Sequence, residues 1–322
     1  MTPERSSEPD ASDAVPPVSL ITASGRPTPA FREQLRRIPN ARNAFAVAAV
    51  YAQTIAIVVL AVHFDNWLVW IAAFILMGRA LAQFTALMHE AAHRLLFRDR
   101  KVNDFVGRWL LGFPAFRSID AYRRGHMAHH RDEYTPDDAD LAGIVVAPAT
   151  EDVPRRLLVT GVTGRAAHRF FLRSLLGTVR SDNKQLRSRG RAVVVTQLLL
   201  IAIGVALHHP WVYFVLWLGP YLTIWRVINR LRAIAEHGGT ERADDGTLLT
   251  PMVVQSLPAR FFIVPFHLGW HHAHHADPGV PMAQLPRLHS ELKRAGFVAE
   301  ALEFSTYASL WRRLASGAGL DA

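Results

Sequence analysis

The stretch WLVWIAAFILMGRALAQFTALMHEAAHRLLF, residues 67–97, carries two signals on one segment. Its apolar part, Trp67–Leu87, is long enough to cross a bilayer, which takes roughly 20 residues at about 1.5 Å each. Its end carries H-E-x-x-H as His89, Glu90 and His93. Positions i and i+4 share a helix face, so both imidazoles can approach one metal ion. Read alone, the pattern suits a zinc hydrolase with Glu90 as general base. The remainder of the chain decides whether that reading stands.

Half of the 322 residues are hydrophobic and the mean hydropathy is +0.11. No Lys or Arg occurs from Ala44 to Gly78, nor from Ala192 to Trp225. Each run has a short polar break, VHFDNW in the first and LHHPW in the second. The pattern predicts two membrane hairpins, with spans at about 44–62, 67–87, 192–207 and 211–228. The fold class is therefore all-α and integral to a membrane. All 36 Lys and Arg lie outside the charge-free runs. By the positive-inside rule the N-terminus, the segment from Arg94 to Arg191 and the C-terminus are cytoplasmic. The net charge of +9 then reflects topology and anionic headgroups rather than a nucleic-acid partner.

Residues 1–40, rich in Pro, Ser and acids, read as a disordered tail with no cleavable signal peptide. Residues 41–295 read as one membrane domain, and 296–322 as a partly helical cytoplasmic tail. The chain has no cysteine, which removes disulfides, thiol nucleophiles and thiolate metal ligands.

The sixteen histidines are clustered. After His89 and His93 comes RRGHMAHHRDEY, with His126, His129 and His130; AEHGG follows, with His237. FHLGWHHAHHADPGVP then gives His267, His271, His272, His274 and His275. H-x-x-H-H occurs twice, and i, i+3 and i+4 lie on one helix face. Nine histidines in metal-like spacing exceed what one zinc uses, and suit two metals with four or five nitrogen ligands each. Imidazole accommodates Zn, Cu, Fe and Ni, so ligand type leaves the metal open. From Trp67 to His89 is roughly 33 Å of helix, and from Trp211 to His237 roughly 39 Å. Both helices thus deliver histidine at the cytoplasmic interface, where the two triplets also lie. The expectation is a histidine-rich helical cap.

H-x-x-x-H after the second span, H-x-x-H-H in the central loop and H-x-x-H-H after the fourth, in this order, resemble the membrane fatty acid desaturase superfamily. AEHGG and HHADPGVPMAQLPRLH resemble its bacterial lipid desaturases. The resemblance covers roughly residues 40–295. It implies two iron ions held by His89, His93, His126, His129, His130, His237, His271, His274 and His275, with O₂ as co-substrate. It further implies an oxidoreductase of lipid metabolism that introduces a C=C bond into a fatty acyl chain. On this reading Glu90, like His267 and His272, orients ligands from behind them. The substrate would be an acyl-lipid, acyl-CoA or acyl-carrier protein, reached along a narrow apolar tunnel. With no G-x-G-x-x-G loop, no cysteine cluster and no H-P-G-G, electrons would come from a separate ferredoxin or cytochrome b5-like donor with its reductase. Three alternatives stay open: a lipid or carotenoid hydroxylase or ketolase on the same scaffold, an H-E-x-x-H zinc membrane protease, and a non-catalytic metal-binding membrane protein. The expected location is a bacterial cytoplasmic membrane with both termini and the metal site inside.

Several other residues carry expectations. Arg79 falls on one face with Gln83, Glu90 and His93, and either snorkels to headgroups or serves a cavity. Arg226, Asn229, Arg230 and Arg232 suit a headgroup, a carrier or an interfacial anchor. RWLLGFPAF, 108–116, is too short to span and suits an interfacial or re-entrant segment. Trp67, Trp70, Trp211 and Trp217 are placed like an outer aromatic belt.

Overall fold

A computed structural model describes residues 19–132, 165–237 and 250–316. In chain order the helices are α1 (Pro29–Leu35), α2 (Asn40–Phe64), α3 (Trp67–Ala92), α4 (Arg100–Phe105), α5 (Ile119–Asp132), α6 (Arg165–Arg180), α7 (Lys184–Ala206) and α8 (Trp211–His237). They continue with α9 (Leu257–Phe262), α10 (His271–Ala276), α11 (Leu285–Arg294) and α12 (Tyr307–Ala315). The described strands, β1 (Met252–Val253) and β2 (Glu303–Phe304), pair in parallel over two residues. The expected all-α class is what the structure has.

Helices α2, α3, α7 and α8 are long and apolar enough to cross a membrane. Each runs past the apolar window that marks it in the sequence. A helix needs apolar side chains only within hydrocarbon, and continues beyond it wherever packing sustains the backbone bonds. α2 leaves Phe45, Ile55, Val59, Leu60 and Phe64 at least half exposed, and α7 does the same with Val195, Leu198, Leu199, Ile203 and Val205. Apolar faces this extensive are stable in lipid, not in water.

α3 is the central element. Asn66 caps its start by accepting from Leu68 N. Its first turns are lipid-facing, with Trp67 67 % exposed, whereas from Ala80 to Ala92 nearly every residue is buried. α2, α5 and α8 all pack on it. At Gly78 the α3 backbone meets α8 so closely that a Cβ there would lie 2.4 Å from Ile224 Cβ, the small-residue contact that lets membrane helices approach. Within α8 a π-helical turn at Phe214–Leu218 precedes Pro220, whose ring and missing N–H disrupt the regular ladder.

Two expectations change, for the N-terminal tail and for Trp217. Disorder does not extend through residues 19–40: α1 buries Phe31 and Leu35, and Arg32 pairs with Asp277. Two apolar anchors and an ion pair outweigh the polar composition around them. Residues 1–18 and 317–322, and the acidic run Asp137–Asp140, lie outside the described residues. The 108–116 segment, expected to be interfacial or re-entrant, packs one side into the protein and leaves Trp109 44 % exposed. α4 continues as a π-helical turn, Val106–Gly112, with Leu111 and Phe113 fully buried. The carbonyls of Phe113 and Pro114 accept from Gln197 Nε2 at 2.7 and 3.2 Å, and Pro114 O also from Trp217 Nε1 at 3.0 Å. Trp217 therefore turns inward to a buried carbonyl instead of joining an aromatic belt, while the tilted rings of Trp70 and Trp211 meet with centroids 4.5 Å apart.

Candidate metal centre

The first two histidines are set by how α3 ends. His93 closes the helix, and Arg94 follows in a left-handed conformation, φ 61°. The freed carbonyls are taken by side chains from elsewhere, as a buried helix end requires. Asn103, fully buried, donates to Ala91 O at 2.9 Å and accepts from Leu96 N and Phe97 N at 3.2 and 3.3 Å. Arg123 on α5 donates to Ala92 O at 2.7 Å and Ala91 O at 2.9 Å, and pairs with Asp104 at 2.7 Å. Arg123 thus docks α5, with His126, His129 and His130, against the turn that carries His89 and His93. Farther up α5, Asp120 receives both Arg108 and Arg189.

α8 ends on His237, and α10 presents His271, His274 and His275 from a single short helix. All nine sequence-nominated histidines meet in one place. His89, His93, His126 and His274 form one group, and His129, His237 and His275 another, each with one ring nitrogen per residue lying within 4.8 Å of the others. His130 Nε2 lies 3.2 Å from His126 Nε2 and 3.1 Å from His274 Nε2, which places it with the first group. His271 Nε2 lies 3.0 Å from His237 Nε2 and 2.9 Å from His275 Nε2, which places it with the second. The rings of His130 and His275, 4.5 Å apart, join the two sets.

These nitrogens fit bound metal. A neutral imidazole has one N–H and one lone pair, so one nitrogen facing two others cannot satisfy all three by hydrogen bonding. Two nitrogens at about 2.1 Å from one ion and at right angles stand roughly 3.0 Å apart, the spacing seen here. His89 Nδ1 and His93 Nε2 are buried with no hydrogen-bond partner. Beside these nitrogens the described residues bring one carboxylate, that of Glu236, near His237 and His271.

The electrostatics agree. Burial foremost, then the neighbouring imidazoles, holds His130, His271, His274 and His275 far below the usual histidine range. His93 is depressed by the same causes. They are neutral, with lone pairs free to ligate. A depressed folded pKa means that the unfolded chain binds protons first on acidification. Stability is therefore complete above the unfolded value of about 6.5 and lost as pH falls below it. We expect the metal-free chain to unfold at progressively lower temperature from about pH 6.5 downward, with little change between pH 7 and 8, as read by thermal melts in detergent.

Residues expected behind the ligands divide. Glu90, 3 % exposed, accepts from Met282 N at 3.0 Å, tying α3 to the segment after α10. His272 lies near the Phe297 backbone and His289 rather than in either histidine set, with its pKa lowered by burial to about 4. The His267 ring lies tilted against that of Trp270, 5.3 Å between centroids, with its pKa likewise lowered by burial to about 4. One carboxylate was not singled out in the sequence: Glu236, bonded by Arg232 at 3.0 Å and 3.8 Å from His271 Nδ1. Its signal was its place directly before His237, one turn after an arginine. Arg232 consequently serves this carboxylate rather than a headgroup. Arg79 donates to Phe261 O at 2.8 Å and to Gln53 and Gln83 at 3.0 and 3.3 Å, partners outside the histidine cluster.

Comparison with known proteins agrees with this geometry. The fatty acid desaturase family model matches residues 65–304. A dihydrorhizobitoxine desaturase of Bradyrhizobium elkanii is 27 % identical over 76 % of this chain and 73 % of its own length. A fatty acid desaturase of Bacillus subtilis (strain 168) is 22 % identical over 70 % of this chain and 68 % of its own. A Delta(5) fatty acid desaturase of Caenorhabditis elegans is 35 % identical over 24 % of this chain and 17 % of its own.

Proposed function

The chain belongs to the fatty acid desaturase family, and we propose that it uses two histidine-held irons and O₂ to introduce a C=C bond into a lipid acyl chain. The observation that carries this reading is the convergence of nine imidazoles, from four separate segments, into two adjacent sets. His89, His93, His126, His130 and His274 would hold one iron, and His129, His237, His271 and His275 the other. Bound there, the pair supplies reduction of O₂ coupled to removal of two hydrogens from an unactivated C–C unit.

The protein's share is placement. The Asn103 and Arg123 bonds fix α3 and α5 relative to each other, so the ligands are pre-positioned before metal arrives. Glu236, beside His271 Nδ1 and anchored by Arg232, orients that ring from behind. Glu90 is engaged by Met282 N, which makes it a tie between α3 and the post-α10 segment rather than a hydrolytic base. Four membrane helices bring an acyl substrate to the site laterally from the bilayer, and burial keeps water from the reacting carbons.

Electrons come from a separate carrier, a ferredoxin or cytochrome b5-like protein, at the basic cytoplasmic face. The location that suits this is a bacterial cytoplasmic membrane with the metal site inside. The two relatives that span most of the chain are both named as desaturases, which supports the reaction over hydroxylation. The test is lipid mass spectrometry of cells producing the chain with a ferredoxin donor. Loss of two hydrogens is expected; gain of one oxygen would make it a hydroxylase, and unchanged lipids would overturn the reading.

A further inference from the structure

Just beyond the metal ligands lie two arginines that the reaction leaves unexplained. The Arg117 guanidinium stands 5.7 Å from the Tyr122 ring and 5.4 Å from that of Trp225. Arg226 stands 5.5 Å from the Phe171 ring and 5.9 Å from that of Tyr221. The two are close enough to repel one another, and both stand near the buried Tyr221 hydroxyl. Among the described residues neither arginine has a carboxylate partner, although Arg108, Arg123, Arg189 and Arg232 all do. Arg226 Nε is buried with no hydrogen-bond partner.

An interfacial anchor would turn its charge to water or headgroups. Here both guanidinium groups fold inward over aromatic rings. Like charges held together without an acid between them are costly, and an anion shared by both relieves that cost. The aromatic cradle is rigid: Tyr221 stacks on Trp225 at 4.6 Å and lies 4.4 Å from Phe116. It is also connected to the metal centre. Tyr122, beneath Arg117, stacks on His126 at 5.1 Å. Trp225 Nε1 donates to Thr85 Oγ1 at 3.2 Å, one helical turn before His89.

We propose that Arg117, Arg226 and the Tyr221 hydroxyl bind the anionic head, a carboxylate or phosphate, of the substrate, one aromatic ring away from the metal ligands. This rests on the desaturase reading and adds to it a substrate class: an amphiphile with a charged end held at a fixed short distance from the reacting carbons. The double bond is then placed by counting from the head, not from the methyl end.

The test is binding of radiolabelled hexadecanoate, hexadecyl phosphate and hexadecanol to the iron-loaded full chain in an uncharged detergent, for the wild type and for R117Q and R226Q. We expect at least one anion to bind roughly tenfold or more tighter than the alcohol, and each glutamine variant to cut that preference to about threefold or less. The charge-keeping variants R117K and R226K should retain part of it, and they serve where a glutamine variant does not fold. Preference for the phosphate identifies a phosphate-bearing head, and preference for the carboxylate a free acid. Equal binding of alcohol and both anions, or a preference untouched by R117Q and R226Q, would overturn the proposal. Binding is read without turnover. An absence of unsaturated product would thus count against the desaturase reading while leaving the anion site standing.

Discussion

The His274→Ala chain is expected to form no unsaturated product above background and to lose iron from at least one site. His274 belongs to the first nitrogen group and its Nε2 lies 3.1 Å from that of His130, so its loss opens a position that no neighbouring side chain can fill. Removing even an outer partner of a metal ligand costs about 10–100-fold in affinity or activity, so loss of a ligand should exceed about 100-fold. The same helix supplies the control. His272, two residues away and near His289 and the Phe297 backbone, should tolerate His272→Ala with its iron retained. Iron content and product formation, measured on both purified chains, check this. Equal iron loss in the two variants would mean that His272, like His274, supports the metal centre.

The second large effect is on stability. Asn103→Ala is expected to lower the unfolding free energy by roughly 1–4 kcal/mol, because buried Leu96 N loses its acceptor, at about 1–3 kcal/mol for an orphaned group, and part-buried Phe97 N loses one that water can partly replace. Ala91 O keeps its bond from Arg123, which limits the loss. The turn carries His93, so iron should fall with stability. Asp99→Ala offers the comparison four residues earlier. Its side chain caps α4 through Lys101 N and Val102 N at an exposed position, and its removal should cost only about 1 kcal/mol. Thermal melts of the two variants in one detergent give the difference directly; similar shifts would contradict the role given to Asn103.

Both predictions draw on what the sequence exposes unevenly. The two H-x-x-H-H triplets were legible because helical periodicity alone puts their members on one face, and α5 and α10 carry them as that periodicity demands. The membrane helices were legible because a charge-free run of that length has few other solutions. What escaped was long-range. Nothing near Asn103 announces that it will cap α3, and Arg123 reads as one more basic residue beside a histidine triplet until its bonds to Ala91 O and Ala92 O are seen. The α1 segment looks disordered because its polar residues outnumber Phe31 and Leu35, yet those two side chains and the Arg32–Asp277 pair are sufficient to dock it. Trp217 shows the converse error: its position along the span suggested an outer aromatic belt, and the carbonyl of Pro114 drew it inside.

Elemental analysis of the purified full chain tests the central claim most directly. A metal pair shared among nine imidazoles requires two iron ions per chain; a single ion per chain, or zinc in place of iron, would contradict it.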